Sequence, residues 1–276
     1  MPVAQKCQNC LIHKTGICNF VDGATHLELK RYSHFRSYAE GETVFSEGVE
    51  TGIVGRVVSG TLKLVSALAD GRQHIVGLIQ AGEMFGRVFD GNSPFAIEAA
   101  TDATLCCFEQ RVFDTIVVRN PKLEQELLLV TLDELDAARD WIMLLGCQHV
   151  IERVATFLLL VLRHQNQIAN AHTKQPAPPI VTFPINRRDI AAYLGTTTET
   201  ISRSLHTLAQ QGMIRIVDHQ SFEITQVKAL TELAGREDIL TLPRKHMNPA
   251  VQKLSDQHQL LLDIDELTTG EQGHRD

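Results

Sequence analysis

The sequence has no apolar run long enough to cross a bilayer. The longest, near Val154 to Leu162, is interrupted by Thr156 and falls well short of the roughly 20 residues a spanning helix needs. No charged-then-apolar leader opens the chain, so a cytoplasmic protein without membrane contact is expected. Also missing are a nucleophile elbow, a phosphate-cradling glycine loop and an HExxH pair, which removes the common signatures of an enzyme. There is no excess of positive charge either: a net of −7 argues against a protein that coats nucleic acid without regard to sequence. Cysteine is scarce, six residues in the whole chain, and in a reducing compartment these are expected as thiols or metal ligands rather than disulfides.

What is present is enough for two domains: 276 residues, 43% of them hydrophobic, can bury two cores. The most informative stretch runs from Arg187 to Ile214. Ile190, Ala191, Tyr193 and Leu194 form the apolar face of a first short helix, Gly195 breaks it, and Thr196 to Thr198 offer hydroxyls to cap a second. In the second helix, expected to reach about Gln211, Ile201, Leu205 and Leu208 recur at helical spacing and point inward. Glu199, Ser202, Arg203 and His206 are left on the outer face. This pattern is a helix-turn-helix signature, although any glycine-cornered helix hairpin shares its periodicity. The outward residues favour DNA. Arg203 can donate twice to guanine, Glu199 can accept from cytosine N4, and Ser202 can do either, all from a helix that fits the major groove. Between Ile180 and Val217, four arginines (Arg187, Arg188, Arg203, Arg215) stand against Asp189 and Glu199, a positive island suited to phosphates on an acidic protein. The segment MIRIVDHQSFEIT that follows reads as a two-stranded hairpin, a wing.

Upstream, Cys7, Cys10 and Cys18 fall as C-x2-C-x7-C in a polar opening segment without helix or strand period. Thiolates this close are placed to wrap one soft centre, zinc or an iron–sulfur cluster. His13, Cys106 or Cys107 would supply the fourth ligand. From about Leu27 to Glu109, short alternating runs punctuated by glycines predict a small antiparallel barrel or roll. In its last strand Cys106 shares a face with Thr104 and Phe108, and Cys107 shares the opposite face with Leu105. Cys147, in a helical stretch further on, is expected to be a small buried apolar residue. A long helix is predicted from Pro121 to about Gly146, with Leu128, Thr131, Leu135, Ala138, Ile142 and Leu145 alternating by three and four. That seam can pack on the chain's own barrel or on a second copy; pairing of two copies is favoured because a palindromic site requires a two-fold protein. A further apolar helix, HVIERVATFLLLVLRHQ, opens the last domain, and a loop is expected from Gln165 to Pro179.

Glycine-punctuated barrel, seam helix and winged helix-turn-helix in this order resemble the Crp/Fnr superfamily of bacterial transcription factors, the cyclic-AMP receptor group. Within it, the chain is similar to the oxygen-sensing fumarate and nitrate reduction branch. EGETVFSEG and VSGTLKL look like the family's barrel turns, and ETISR, Glu199 to Arg203, looks like the branch's E-x-x-S-R recognition motif. The resemblance implies an α+β fold: an N-terminal antiparallel β-roll of the cyclic-nucleotide-binding type, a long dimerisation helix, and a C-terminal winged helix-turn-helix domain. The corresponding segments are 1–26 (cysteine-rich), 27–118 (β-roll sensor), 119–146 (dimerisation helix), 147–234 (DNA-binding) and 235–276 (a tail expected to be mobile). It implies a 4Fe-4S cluster held by Cys7, Cys10, Cys18 and Cys106, with Cys107 as the fallback, because LCCF matches the family's strand when Phe108 follows the ligand by two. Seven residues separate Cys10 from Cys18, a spacing known from versions in photosynthetic and nitrogen-fixing bacteria.

The resemblance further implies DNA contacts by Glu199, Ser202 and Arg203 on TTGAT/ATCAA-type palindromes. The homodimer would pair through Leu128, Leu135, Ala138, Ile142 and Leu145, and RNA polymerase would be a partner. An intact cluster at low oxygen would favour the dimer, and oxygen would disperse it. The arginine–serine pair of the cyclic-nucleotide pocket is missing: Ser93-Pro94-Phe95 stands in that stretch, against a nucleotide ligand. Ala138 replaces an acidic residue common in the seam, which would make pairing less dependent on the cluster. The competing reading is a Crp-like factor with a zinc-bound or redox-thiol N-terminus and a haem, nitric oxide or small-molecule signal.

Overall fold

The structure, a computed structural model, describes residues 21, 23–67, 73–89, 91–169 and 178–235. Cys7, Cys10, Cys18, His13 and the tail from residue 236 lie outside the described residues.

Among the described residues, helix α1 (Gly23–Tyr32) is followed by eight strands: β1 (His34–Tyr38), β2 (Thr43–Phe45), β3 (Ile53–Ser59), β4 (Thr61–Ala67), β5 (Gln73–Gln80), β6 (Met84–Phe85), β7 (Ala96–Ala99) and β8 (Ala103–Glu109). They make two antiparallel four-stranded sheets, ordered β1-β8-β3-β6 and β2-β7-β4-β5. Alternation along each strand sends one face into the roll, where Val57, Leu62, Phe85, Ile97 and Leu105 are buried together. The tightest connection between these strands is the single residue between β3 and β4. Gly60, between β3 and β4, has φ of 84°, and a Cβ there would lie 2.3 Å from the Asp102 carbonyl oxygen, so only glycine fits.

Beyond the roll come α2 (Gln110–Arg119), α3 (Pro121–Cys147) and α4 (Val150–Ala169). Pro121 opens α3, where its missing N–H costs nothing. Leu123 anchors this helix in a cluster with Leu29, Phe113 and Ile116 on the outside of the roll. The seam is not packed on the roll: Leu128, Leu135 and Ile142 are 59%, 45% and 69% exposed, and Leu132 and Met143 stand exposed beside them. Ala138 is exposed too, whereas Leu145 is half-buried.

Two sequence expectations need correction. Cys147 is exposed, not buried, because it is the last residue of α3 and lies past the helix's final packed turn. The loop expected from Gln165 is helical as far as Ala169, since no glycine or proline interrupts the stretch before Pro176.

The last domain adds β9 (Ile180–Thr182), α5 (Arg187–Tyr193), α6 (Thr198–Gln210), β10 (Ile214–Ile216), β11 (Ser221–Ile224) and α7 (Val227–Leu233). β10 and β11 pair as the wing, and β9 adds to the far edge of β11. Their core gathers Leu158, Ile190, Leu194, Ile201, Leu205 and Phe222, all fully buried. Ala100 and Leu78 of the roll contribute to the same core. Lys63 of β4 crosses this junction: its Nζ lies 3.3 Å from both carboxylate oxygens of Asp189 in α5 and 3.5 Å from Glu98. The side chains of Lys63 and Asp189 are only 16% and 12% exposed, so the pair is sheltered from the screening that weakens surface ion pairs.

Candidate nucleic-acid interface and thiol site

Helix α5 starts at Asn186, whose side chain accepts from the Asp189 N–H at 2.9 Å, and stops at Gly195, whose φ of 63° reverses the chain. Thr197 then caps α6 by accepting from the Thr200 N–H. These two caps and one left-handed glycine set the corner between the helices. Ile201, Ser204, Leu205 and Leu208 bury one face of α6; Glu199, Arg203 and His206 are exposed on the other, and Ser202 is half-buried.

Glu199 and Arg203 stand one turn apart, acid before base, the favourable order on a helix. Hydrogen bonds from the Glu199 backbone N–H and from Thr197 and Thr198 hold the Glu199 carboxyl below its usual range, with Arg203 assisting. It therefore stays a pure acceptor through the physiological range. The wing is braced against α5: Arg187 donates to the His219 carbonyl at 3.1 Å and lies over the Phe222 ring. Asp218 accepts from the N–H groups of Gln220 and Ser221, tightening the wing tip and lowering its own pKa. Because Asp189 is engaged by Lys63, it no longer offsets the arginines as the sequence count suggested.

The thiols separate as alternation predicts. Cys107 is buried inside the roll with Leu105, and burial pushes its thiol up to about 11, with Arg36 pulling slightly the other way. Cys106 is half-buried on the outer face, in the cluster that holds Val21, Leu29 and Phe108. Directly across the ladder from it stands Arg56, a buried guanidinium that donates to the Gly82 carbonyl. Among the described residues no three His, Cys, Asp or Glu side chains gather as a metal site; the other three cysteines of the expected set lie outside them. Iodoacetamide at about pH 8, where a raised thiol is overwhelmingly protonated, is expected to leave Cys107 unmodified in the folded protein. Peptide mass mapping checks this, and equal labelling of Cys107 with and without denaturant would contradict it.

Ser93 does not present a free hydroxyl to a ligand: it is buried and donates to the Phe95 carbonyl at 2.6 Å. Among the described residues no helix is long and apolar enough to cross a membrane.

Sequence reasoning missed three residues that shape this interface. Arg153, in α4, donates to three backbone carbonyls around the α3–α4 bend and the α5–α6 corner. Trp141, in α3, stacks on Tyr193 with ring centroids 4.0 Å apart. Lys63 reaches across from the roll.

Comparison with known proteins covers both halves. A family described as the cyclic nucleotide-binding domain matches residues 35–120, and one described as the Crp-like helix-turn-helix domain matches residues 152–233. The transcriptional activator protein FnrL of Cereibacter sphaeroides is 32% identical over 243 residues, covering 87% of this chain and 96% of the relative. The fumarate and nitrate reduction regulatory protein of Escherichia coli K12 is 29% identical over 198 residues, covering 71% and 77%. Among solved structures, FixK2 from Bradyrhizobium japonicum superposes with a TM-score of 0.66 at 28% identity, covering 73% of this chain and 96% of that one.

Proposed function

Since this chain belongs to the Crp/Fnr family of transcription regulators, a family of non-enzymes, we propose that it is an oxygen-responsive regulator that reads palindromic TTGAT/ATCAA-type DNA as a homodimer under low oxygen. Each protomer presents Glu199, Ser202 and Arg203 to one half-site, Arg203 to guanine, Glu199 to cytosine on the opposite strand and Ser202 to a base or phosphate. The seam of α3, with Leu128, Leu135, Ala138, Ile142 and Leu145, joins the two protomers. Avidity carries the switch: two linked readers gain affinity through effective concentration that a lone reader lacks.

The observation that carries the sensing half of this reading is the position of Cys106. It opens onto the cluster that also holds Val21, only three residues after Cys18. The remaining residues fit an iron–sulfur cluster. Four cysteines, Cys7, Cys10, Cys18 and Cys106, complete an all-thiolate set, and the Arg56 guanidinium on the same face suits ligating thiolates. When bound, a 4Fe-4S cluster supplies an oxygen-labile tie between the opening segment and the roll. Cys106 would hold the roll end of that tie, and α1 packs on α2 and β8 and donates through the Thr25 hydroxyl to Asn120, the N-cap of α3. Cys107, sealed in the roll's core, serves packing.

The test is an absorption spectrum of protein purified without oxygen, with iron and acid-labile sulfide assayed before and after air. A brown sample with about four irons and four sulfides per chain, bleaching in air as the dimer disperses, is the expected result. Cys106→Ser is expected to abolish the colour and Cys107→Ser to keep it. A colourless wild type with one zinc and air-stable DNA binding would replace the cluster with a zinc or redox-thiol segment and move the signal to the roll.

A further inference from the structure

Helix α3 ends at Cys147, the chain bends through Gln148 and His149, and α4 begins at Val150. One turn into α4, the Arg153 side chain turns back over this bend. Nη2 donates to the Leu145 carbonyl at 2.7 Å, Nε to Gln148 at 3.0 Å and Nη1 to Leu194 at 3.0 Å. Leu145 lies in the last turn of α3, Gln148 is its C-cap and Leu194 is the C-cap of α5. The last carbonyls of a helix have no partner within it and carry the negative end of its dipole. A single cation therefore caps the C-termini of the dimerisation helix and of the first helix of the reader at once.

The same two helices touch at a second point. Trp141, one turn before Leu145, stacks on Tyr193, the residue before Leu194, with 15° between the ring planes. Burial pushes the Tyr193 hydroxyl upward, with Glu83 of the roll adding to the shift, so it stays neutral against the indole. Gln148 extends the junction by donating to the carbonyl of Ala234, the C-cap of α7, at 2.7 Å. None of these groups lies on the outward face of α6.

We propose that Arg153 is a positioning residue that sets the separation of the two recognition helices, and so the spacing between half-sites that the dimer accepts. This rests on the dimeric DNA-binding reading above. The two-fold axis of such a dimer runs between the α3 seams, and half-sites of a rigid duplex must match the recognition helices in distance and phase. The angle at which α5 and α6 leave the end of α3 fixes that distance. A planar guanidinium donates in three fixed directions to three carbonyls; an ammonium on a flexible stem does not reproduce the fork, and Met reproduces only the stem.

The experiment titrates full-length protein, wild type and the variants Arg153→Lys and Arg153→Met, on palindromic duplexes whose spacer varies one base pair at a time, and on a duplex with one half-site. Wild type is expected to favour one spacer, losing about tenfold per base pair of error as simultaneous engagement fails. Both variants are expected to flatten that profile to within about threefold while holding the single half-site affinity of wild type, since the reading face is untouched. In parallel, spin labels at position 210 on α6 of each protomer are expected to give a narrow distance distribution in wild type and a broad one in Arg153→Lys, the milder change, without DNA. A sharp profile and a narrow distribution in both variants would overturn the role of Arg153. A wild type that binds palindrome and single half-site alike would overturn the dimeric reading beneath it.

Discussion

The paired change Leu135→Glu with Ile142→Glu is expected to give a folded monomer whose affinity for the palindrome falls about 10²- to 10⁴-fold, to the level of a single half-site. Both side chains are exposed on the single chain, 45% and 69%, so neither supports its core and the variant has no reason to unfold. In a pair they would be buried. Each full burial of such a side chain contributes about 1.5–3 kcal/mol, and the two-fold axis counts every residue twice. The substituted glutamates face their own copies near the axis, adding like-charge repulsion to the lost apolar contact. Sedimentation at micromolar concentration reads the assembly, and titration on whole and half operators reads the affinity. Half-site affinity is expected to stay unchanged, because Glu199, Ser202 and Arg203 lie on a different element. A variant that still sediments as a dimer would remove the seam from the interface.

Arg203→Ala is expected to cut the ratio of target to scrambled DNA binding by about 1–3 kcal/mol at each half-site, and by about twice that over a palindrome if the half-sites add. The reason is geometric. Arg203 stands exposed on the outer face of α6 and can lay two parallel hydrogen bonds on guanine. Arg203→Lys keeps the charge and loses the fork, so it is expected to hold affinity for scrambled DNA while losing most of the discrimination. Competition binding at fixed salt measures both. An unchanged ratio in Arg203→Ala would take base reading away from this residue and leave it a phosphate contact, whose loss would instead reduce the salt dependence.

The reader helix was legible because its signals are local: an inward face at a period of 3.6, hydroxyls before its first turn, and glycines at both ends. The roll was legible from alternation and turn glycines, and so was the division of the two adjacent thiols, since Cys106 and Cys107 must face opposite ways on any strand. The failures share a cause. Asp189 reads locally as an ordinary first-turn acid, and nothing near it announces Lys63, 126 residues away. Arg153 bonds only to carbonyl oxygens, which every residue carries and no side-chain pattern marks. The strand Ile180–Thr182 has three residues, too few for any period. Cys147 is exposed although its apolar helical neighbourhood suggests burial, because exposure at a helix end depends on where the helix stops. The cysteines of the opening segment stand out by spacing alone as candidate ligands, and they lie outside the described residues.

The Lys63 junction bears on how such proteins can be recombined. Its ammonium lies between Glu98 of the roll and Asp189 of the reader, while Leu78 and Ala100 of the roll complete a core that otherwise belongs to the reader. A reader excised at the bend after α3 would carry an uncovered apolar patch and a carboxylate stripped of its counter-charge. A reader grafted onto a foreign sensor would meet the same mismatch unless the new roll offers a cation at the place of Lys63. For this chain a chimera is expected to keep its stability only when roll and reader are exchanged together, because Lys63, Leu78 and Ala100 all precede the helix that joins the two.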